Sequence, residues 1–496
     1  MLFNSLLFIY LFLPLSLLVY YLTNNSYKNL VLLISSWVFF AWGGISYSSL
    51  LIASTLINYF SGLLIGSSQE KKKRRIILIA GVLLNLLPLV LFKYTGFFTE
   101  TMNVLTSVFK IKAVTVAHFI LPLGISFYSF KAISYLMSVY RNECSAQKNY
   151  IDLALFISIF PEVIAGPIDR YRSLEPQLKS REYSFELMAS GIKRFALGLG
   201  KKVLIANTLA IAVDEIFLRP ADTLSLPVAW LGAITYSLQI YFDFSGYTDM
   251  AIGLGRMFGF TFMENFNLPY FSKNVKEFWQ RWHISLSNWL RDYLYLPLAY
   301  STSRKLKEYS YLGIRADYII YIIATMVTFT VCGFWHGAAW SFIIWGALHG
   351  IFLVFEQLGL RKFLKHRIPL IQHLYLLAFI TLSWVVFRSP NLGYAFKYVG
   401  VMFGIHGAPA NWTALGEYFN PGFLIAFIFA IAGSASLLQR LSQLSVKALS
   451  IRNNAFRGLS VNFFEISAIL VVLIMLLLSS LFILAGTNNS FIYFQF

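Results

Sequence analysis

Long apolar runs dominate this chain, and their lengths set the first expectation. They fall near 6–22, 29–43, 47–66, 76–93, 151–166, 190–217, 226–245, 317–335, 338–357, 371–388, 422–438 and 465–485. A helix needs about 20 mainly apolar residues to cross a hydrocarbon core. The pattern therefore predicts an all-α polytopic membrane protein with about eleven or twelve transmembrane helices. Two weaker stretches, 96–140 and 246–298, are rich in Gly, Pro and aromatic residues. Irregular backbone cannot face lipid with its polar groups unmet, so broken, re-entrant or interfacial helices are expected there. No polar block is long enough to form a soluble domain, so residues 1–496 read as a single integral-membrane domain. Neither a repeat at a solenoid period nor the paired halves of a transporter are visible.

Composition agrees with this class. The chain is 58% hydrophobic and only 12% charged, against about 25% charged for a soluble domain. Its net charge is +18, from 40 Lys+Arg against 22 Asp+Glu. In a soluble chain that excess would point to nucleic acid. Here the cations cluster in short loops, where they act as orientation signals and headgroup contacts, so nucleic acid is set aside. The clusters are Lys71–Arg75; Arg304, Lys305 and Lys307; Arg361, Lys362, Lys365 and Arg367; and Arg440, Lys447, Arg452 and Arg457. Placing all of them in the cytoplasm is self-consistent and leaves both termini outside, with 486–496 as an extracytoplasmic tail. The N-terminus lacks a basic leader region and a small-residue cleavage site, so it reads as a retained span. Cys144 and Cys332 are isolated in apolar settings and read as packed small side chains.

Ionisable groups are scarce, yet 277–350 gathers Arg281, His283, Arg291, Asp292, His336 and His349. A charge at the bilayer centre costs on the order of 3 kcal/mol by insertion scales, so such groups need aqueous or protein partners. The stretch opens with EFWQRWHISLSNWLRDYLYLPL. Taken as a helix over 277–298, it sets Trp282, Trp289 and Leu296 on one face and Arg281, Ser285, Asn288 and Asp292 on another. That predicts an amphipathic helix dipping into the protein beside a water-filled funnel. His283 on it is open to two readings, a satisfied structural group or a catalyst. The stretch closes with GFWHGAAWSFIIWGALHG. Gly333 and Gly337 flank Phe334, Trp335 and His336, so backbones can approach closely while aromatic bulk excludes water. A neutral His336 there suits general-base work on a hydroxyl. His349 follows thirteen residues later.

Other chemistries fit less well. No HxxxH pair or carboxylate spacing supports a metal site. No GxSxG elbow supports a serine hydrolase. Acyl transfer from a thioester asks for less, because the donor is already activated and one base in a dry pocket suffices. The segment YSLQIYFDFSGYTDMAIGLGRMFGF places Asp243 and Asp249 in or beside a span, where each must pair or line a cavity. The segment PEVIAGPIDRYRSLEPQL at 161–178 is either a salt-bridged helix end or the polar rim of a pathway.

FWQRWHISLSNWLRDYLYLPL followed by GFWHGAAW resembles the membrane-bound O-acyltransferase (MBOAT) family. The likeness is to its bacterial branch, typified by the membrane subunit of alginate O-acetyltransferase. Further matching motifs are LPLGISFYSFKAISYLMSVYR, FPEVIAGPI and YFDFSGYTDMAIG, so the resemblance covers nearly the whole chain. It implies helices ringing a thinned central channel, with 277–350 as the catalytic core. It implies a catalytic histidine at His336 and a second functional position at His283. Trp335, Arg281, Asp292 and His349 are then candidates to support the site or contact the donor, and Asp243 and Asp249 to line the pathway. The implied donor is acetyl-CoA or another acyl thioester on the cytoplasmic side, with no tightly bound cofactor. The implied activity is export of acetyl groups across the bacterial inner membrane for O-acetylation of an envelope polysaccharide. Its implied partners are membrane lipid, an extracytoplasmic esterase-like protein and, indirectly, the polymer. RWHISLSNWLRDYLY favours the acetyl branch over the D-alanyl branch. A transporter or a non-catalytic scaffold of an export complex are the rivals from other classes. The tail NSFIYFQF reads either as an aromatic interfacial anchor or, by resemblance to envelope acylation systems, as an acyl carrier through Tyr493.

Overall fold

The structure is a computed structural model that describes residues 1–110, 112–116, 119, 121–435, 454–486 and 491–492. The described chain is overwhelmingly helical. Its one sheet is a hairpin of Ser310–Tyr311 against Ile314–Arg315. Leu312 and Gly313 turn it with φ of 51° and 78°, the positive values that a two-residue hairpin requires.

Seven described helices are long and apolar enough to cross a membrane: Ile45–Ser67, Lys71–Ser107, Phe185–Leu218, Ala316–His336, Trp340–Lys365, Pro369–Arg388 and Ile466–Leu484. Two shorter apolar helices, Phe8–Leu22 and Pro421–Ser434, accompany them. The other expected spans take different forms. Segment 29–43 makes a helix of 14 residues, Lys28–Ala41. Segment 151–166 is cut at Ile159 into Tyr150–Ser158 and Phe160–Val163. Pro161, which has no N–H to continue the first ladder, sits in the opening turn of the second. Segment 226–245 begins a 32-residue helix, Leu226–Met257. The stretch 246–257 is therefore continuous helix rather than broken. Likewise Ile125–Tyr140 is one unbroken helix, buried almost all round.

The chain forms two compact units, Met1–Phe195 with Tyr247–Met263, and Ala196–Gly246 with Glu264–Phe496. In the first, Phe3, Phe8, Phe39 and Phe160 build an aromatic core with ring centroids 5.0 to 6.5 Å apart. Asn58 and Asn85 exchange side-chain amide hydrogen bonds, both at 2.9 Å, between neighbouring helices. Such reciprocal pairs join apolar helices whose lipid-like surfaces give no hydrophobic drive to associate. Lys131 and Glu162, both fully buried, form an ion pair. Asp169 lies beside Glu162. Burial first, and the Glu162 carboxylate second, push its pKa well above the usual carboxylate range. Of the two readings of 161–178, the salt-bridged one describes Glu162. Asp249 is held by Arg194 at 2.8 and 3.0 Å.

Candidate active site

The second unit holds all three histidines singled out above, His283, His336 and His349. Its organising feature is a close helix crossing. A Cβ on Gly333 would overlap the Phe342 carbonyl and the Gly346 backbone, and one on Gly346 would overlap the Phe329 carbonyl and the Gly333 backbone. Only glycine lets helices Ala316–His336 and Trp340–Phe355 touch backbone to backbone. His336 is the last residue of the first helix, which extended Gly337 terminates (φ −163°, ψ 150°). A side chain on Gly337 would occupy the Phe342 ring. The buried His336 ring meets Trp335 at 4.8 Å, Trp345 at 5.2 Å and Phe387 at 5.5 Å, all three edge-on.

The helix expected over 277–298 is interrupted at its histidine. Val275–Arg281 ends at Trp282, and Ile284–Leu290 begins after His283, whose φ of 44° is left-handed. The cause lies in the preceding segment. The Asn265 carbonyl accepts from Ile284 N–H (3.0 Å) and its side-chain oxygen from Ser285 N–H (3.1 Å). Asn267 N–H in turn donates to the Arg281 carbonyl (2.9 Å). Asn265 thus meets the exposed donors of the second helix from outside the helix sequence. The Asn265 side-chain oxygen also accepts from Ser285 Oγ (2.9 Å) and lies 3.2 Å from His283 Nδ1. An amide oxygen can only accept, so Nδ1 carries the proton of the neutral ring and Nε2 the lone pair. Burial lowers the His283 pKa from 6.5 to about 3, which keeps the ring neutral at working pH. His283 packs edge-on against Phe244 at 4.7 Å and lies 6.4 Å from Trp335. Both His283 and His336 therefore pack against the Trp335 indole.

His349 is also fully buried, in the opposite tautomer. The Trp279 indole N–H donates to its Nδ1 at 3.1 Å, which leaves the proton on Nε2. Its ring lies against Trp345, Phe379 and Trp279 at 4.8 to 5.3 Å. Trp345 contacts both His349 and His336. Glu356 fixes this arrangement. Its carboxylate accepts from the N–H groups of Val275 (2.7 Å) and Lys276 (3.1 Å) and from the Tyr375 hydroxyl (3.1 Å). It thereby ties the start of the Trp279 helix to the end of the His349 helix.

The remaining sequence candidates sit apart from the imidazoles or are paired. Arg281 pairs with Glu277 at 2.9 Å and donates to the Asn267 carbonyl. Asp292 pairs with its neighbour Arg291 at 2.7 Å. Asp243 is buried in an ion pair with Lys202. Asp249 belongs to the first unit. Tyr493 lies outside the described residues, whereas Phe491 and Ile492 just before it are buried in the second unit. Sequence reasoning missed Asn265, Trp279, Glu356 and Lys202. Only Lys202 announced itself, as a cation inside an apolar segment that holds an aspartate's partner.

This arrangement, buried imidazoles in an aromatic enclosure at a glycine crossing, suits proton transfer in a dry site. It lies largely within residues 145–394, which match the model of the membrane-bound O-acyltransferase family. The chain belongs to that family and is a membrane-bound O-acyltransferase. It is similar to a protein named Probable alginate O-acetylase AlgI from Azotobacter vinelandii, 42% identical over 83% of this chain and 79% of that one. It is also similar to one of the same name from Pseudomonas putida, 38% identical over the full length of both. A peptidoglycan O-acetyltransferase from Helicobacter pylori is 37% identical over 82% of this chain and 80% of its own.

Proposed function

We propose that the protein takes an acetyl group from acetyl-CoA at the cytoplasmic face of the bacterial inner membrane and delivers it outward for O-acetylation of an envelope polysaccharide. The observation that carries this is the pair of buried histidines packed on Trp335, one at the glycine crossing and one capped by Asn265. The names of relatives matched over 80% or more of their length, alginate O-acetylase and peptidoglycan O-acetyltransferase, support acetyl as the group and a glycan as its destination. His336 is the general base. It takes the proton from an acceptor hydroxyl as that oxygen attacks the thioester carbonyl. The C–S bond breaks, and the proton passes to the leaving thiolate, so CoA-SH and an O-acetyl ester are the products. His283 shapes the thioester site through its neutral ring. Trp335 separates and orients the two imidazoles.

The first acceptor in this reading is the Tyr493 hydroxyl. Its acetyl ester is then passed to an extracytoplasmic esterase-like partner and on to the polymer. A relay splits one transfer across the membrane into two simpler ones. The test is mass spectrometry of the protein in membranes given labelled acetyl-CoA. Label is expected on Tyr493, absent in Tyr493→Phe and reduced about 10²- to 10⁴-fold in His336→Ala, the usual range for a lost general base. Full transfer to polymer by Tyr493→Phe would remove the relay. Full transfer by His336→Ala would remove the base.

A further inference from the structure

The Lys202–Asp243 pair has a third member. The two carboxylate oxygens of Asp243 are used separately, Oδ1 by the Lys202 ammonium and Oδ2 by the backbone N–H of Ile492 at 2.8 Å. Lys202, Asp243, Phe491 and Ile492 are all buried. The sequence places Ile492 far from Asp243, so the bond is a tertiary anchor rather than a local cap. Backbone shape makes room for it. A Cβ on Gly246 would crowd the Gly198 carbonyl and the Lys202 amide. That tight crossing sets Lys202 opposite Asp243. The adjacent side chains continue the contact, because Phe491 lies 5.7 Å from Phe244, whose other neighbour is the His283 ring at 4.7 Å.

A buried carboxylate is tolerated when a cation neutralises it and its remaining lone pairs find donors. Lys202 supplies the first requirement and the tail amide the second. A charged acceptor also makes a bond roughly twice as strong as a neutral one. Side-chain recognition is not needed, so the anchor reads chain position rather than residue type at 492.

We propose that Asp243, paired with Lys202, is the docking point that holds Phe491 and Ile492 of the C-terminal segment against Phe244, the neighbour of His283. Asp243 is thus a positioning residue for the tail rather than part of an open pathway. Its role in transfer rests on the Tyr493 relay proposed above, whereas the docking itself does not.

The experiment uses the full-length protein in lipid nanodiscs and two readouts. One is amide hydrogen exchange of the C-terminal peptide containing Ile492. The other is labelled acetyl on Tyr493 at saturating acetyl-CoA. The variants are Ile492→Pro, which deletes the donor and leaves the ion pair, and Lys202→Met with Asp243→Leu, which deletes the acceptor without stranding a charge. Exchange of the tail is expected to rise about ten- to a hundredfold in both, as for loss of a hydrogen bond to a charged group. Acetyl on Tyr493 should fall in parallel, while the KM for acetyl-CoA in that transfer stays unchanged. A tail that remains as protected as wild type in Ile492→Pro would overturn the docking. Raised exchange with wild-type acetyl transfer to polymer would keep the docking and remove the relay instead. Should the double variant not fold, Ile492→Pro alone decides, since it leaves Lys202 and Asp243 in place.

Discussion

Two buried polar centres show how differently one chain can use costly groups. In the first unit, Lys131 and Glu162 neutralise each other, with Asp169 beside them, its pKa raised by burial and by the Glu162 carboxylate. In the second, the buried groups are imidazoles whose neutral tautomers are fixed by Asn265 and Trp279. The first centre satisfies charge with charge and holds the helix Ile125–Tyr140 to the break at Ile159–Pro161. The second holds the rings of His283 and His349 neutral, so that burial strands no charge there. Buried polarity serves architecture in one place and, under the proposed function, chemistry in the other, and the contrast predicts which property each substitution changes.

The largest effect is expected at the chemical centre. His336→Ala should lower acetyl transfer about 10²- to 10⁴-fold, or about 3 to 5 kcal/mol of barrier, while thermal unfolding shifts little. Loss of fold together with activity would blur the contrast. The ion pair should behave inversely. Lys131→Met strands Glu162 and is expected to cost about 3–5 kcal/mol of stability. Transfer per folded molecule should persist, and Lys131→Met with Glu162→Leu should recover most of the stability. Thermal denaturation in detergent, with activity normalised to folded protein, reads both. Asn265→Leu attacks the link between fold and chemistry. It frees His283 to change tautomer and is expected to lower transfer about 10- to 100-fold, the range for loss of a group that orients a functional side chain.

A smaller effect follows from the lowered His283 pKa. The unfolded chain takes up a proton below about 6.5, whereas the folded protein does not until about pH 3. Stability from this residue is therefore present above pH 6.5 and falls as pH drops toward 3, by up to about 1.4 kcal/mol per pH unit. Unfolding midpoints of His283→Asn between pH 6 and 4 should show a slope shallower by that amount. Least of all, Arg281→Ala should change stability by no more than about 1 kcal/mol, because its pair with Glu277 is partly exposed.

Much of this contrast was readable from residue order, but not evenly. Apolar run lengths located the long helices, and GFWHGAAW announced one of the two crossing glycines, Gly333, and the enclosed imidazole. The 277–298 helix was misread because its period is good, whereas the groups that break it, Asn265 and Asn267, belong to a segment with no period at all. Short-range patterns carry no signal of a tertiary cap. Glu356 was hidden for a related reason, since it sits at the end of the apolar run 338–357 and reads as a charge that merely closes a span. The use of Asp243 was legible only as a need for a partner. Which partner, Lys202 and a tail amide, depended on a helix crossing at Gly198 and Gly246 that sequence spacing does not encode.

The central claim, that His336 meets the thioester, is tested most directly by electron cryo-microscopy of the full-length protein with a non-reactive acetyl-CoA analogue. The account predicts the acetyl carbonyl beside the His336 ring, within one hydroxyl's width of its basic nitrogen, with Trp335 between it and His283. Analogue density that ends elsewhere, with His336 packed away from it, would contradict the account.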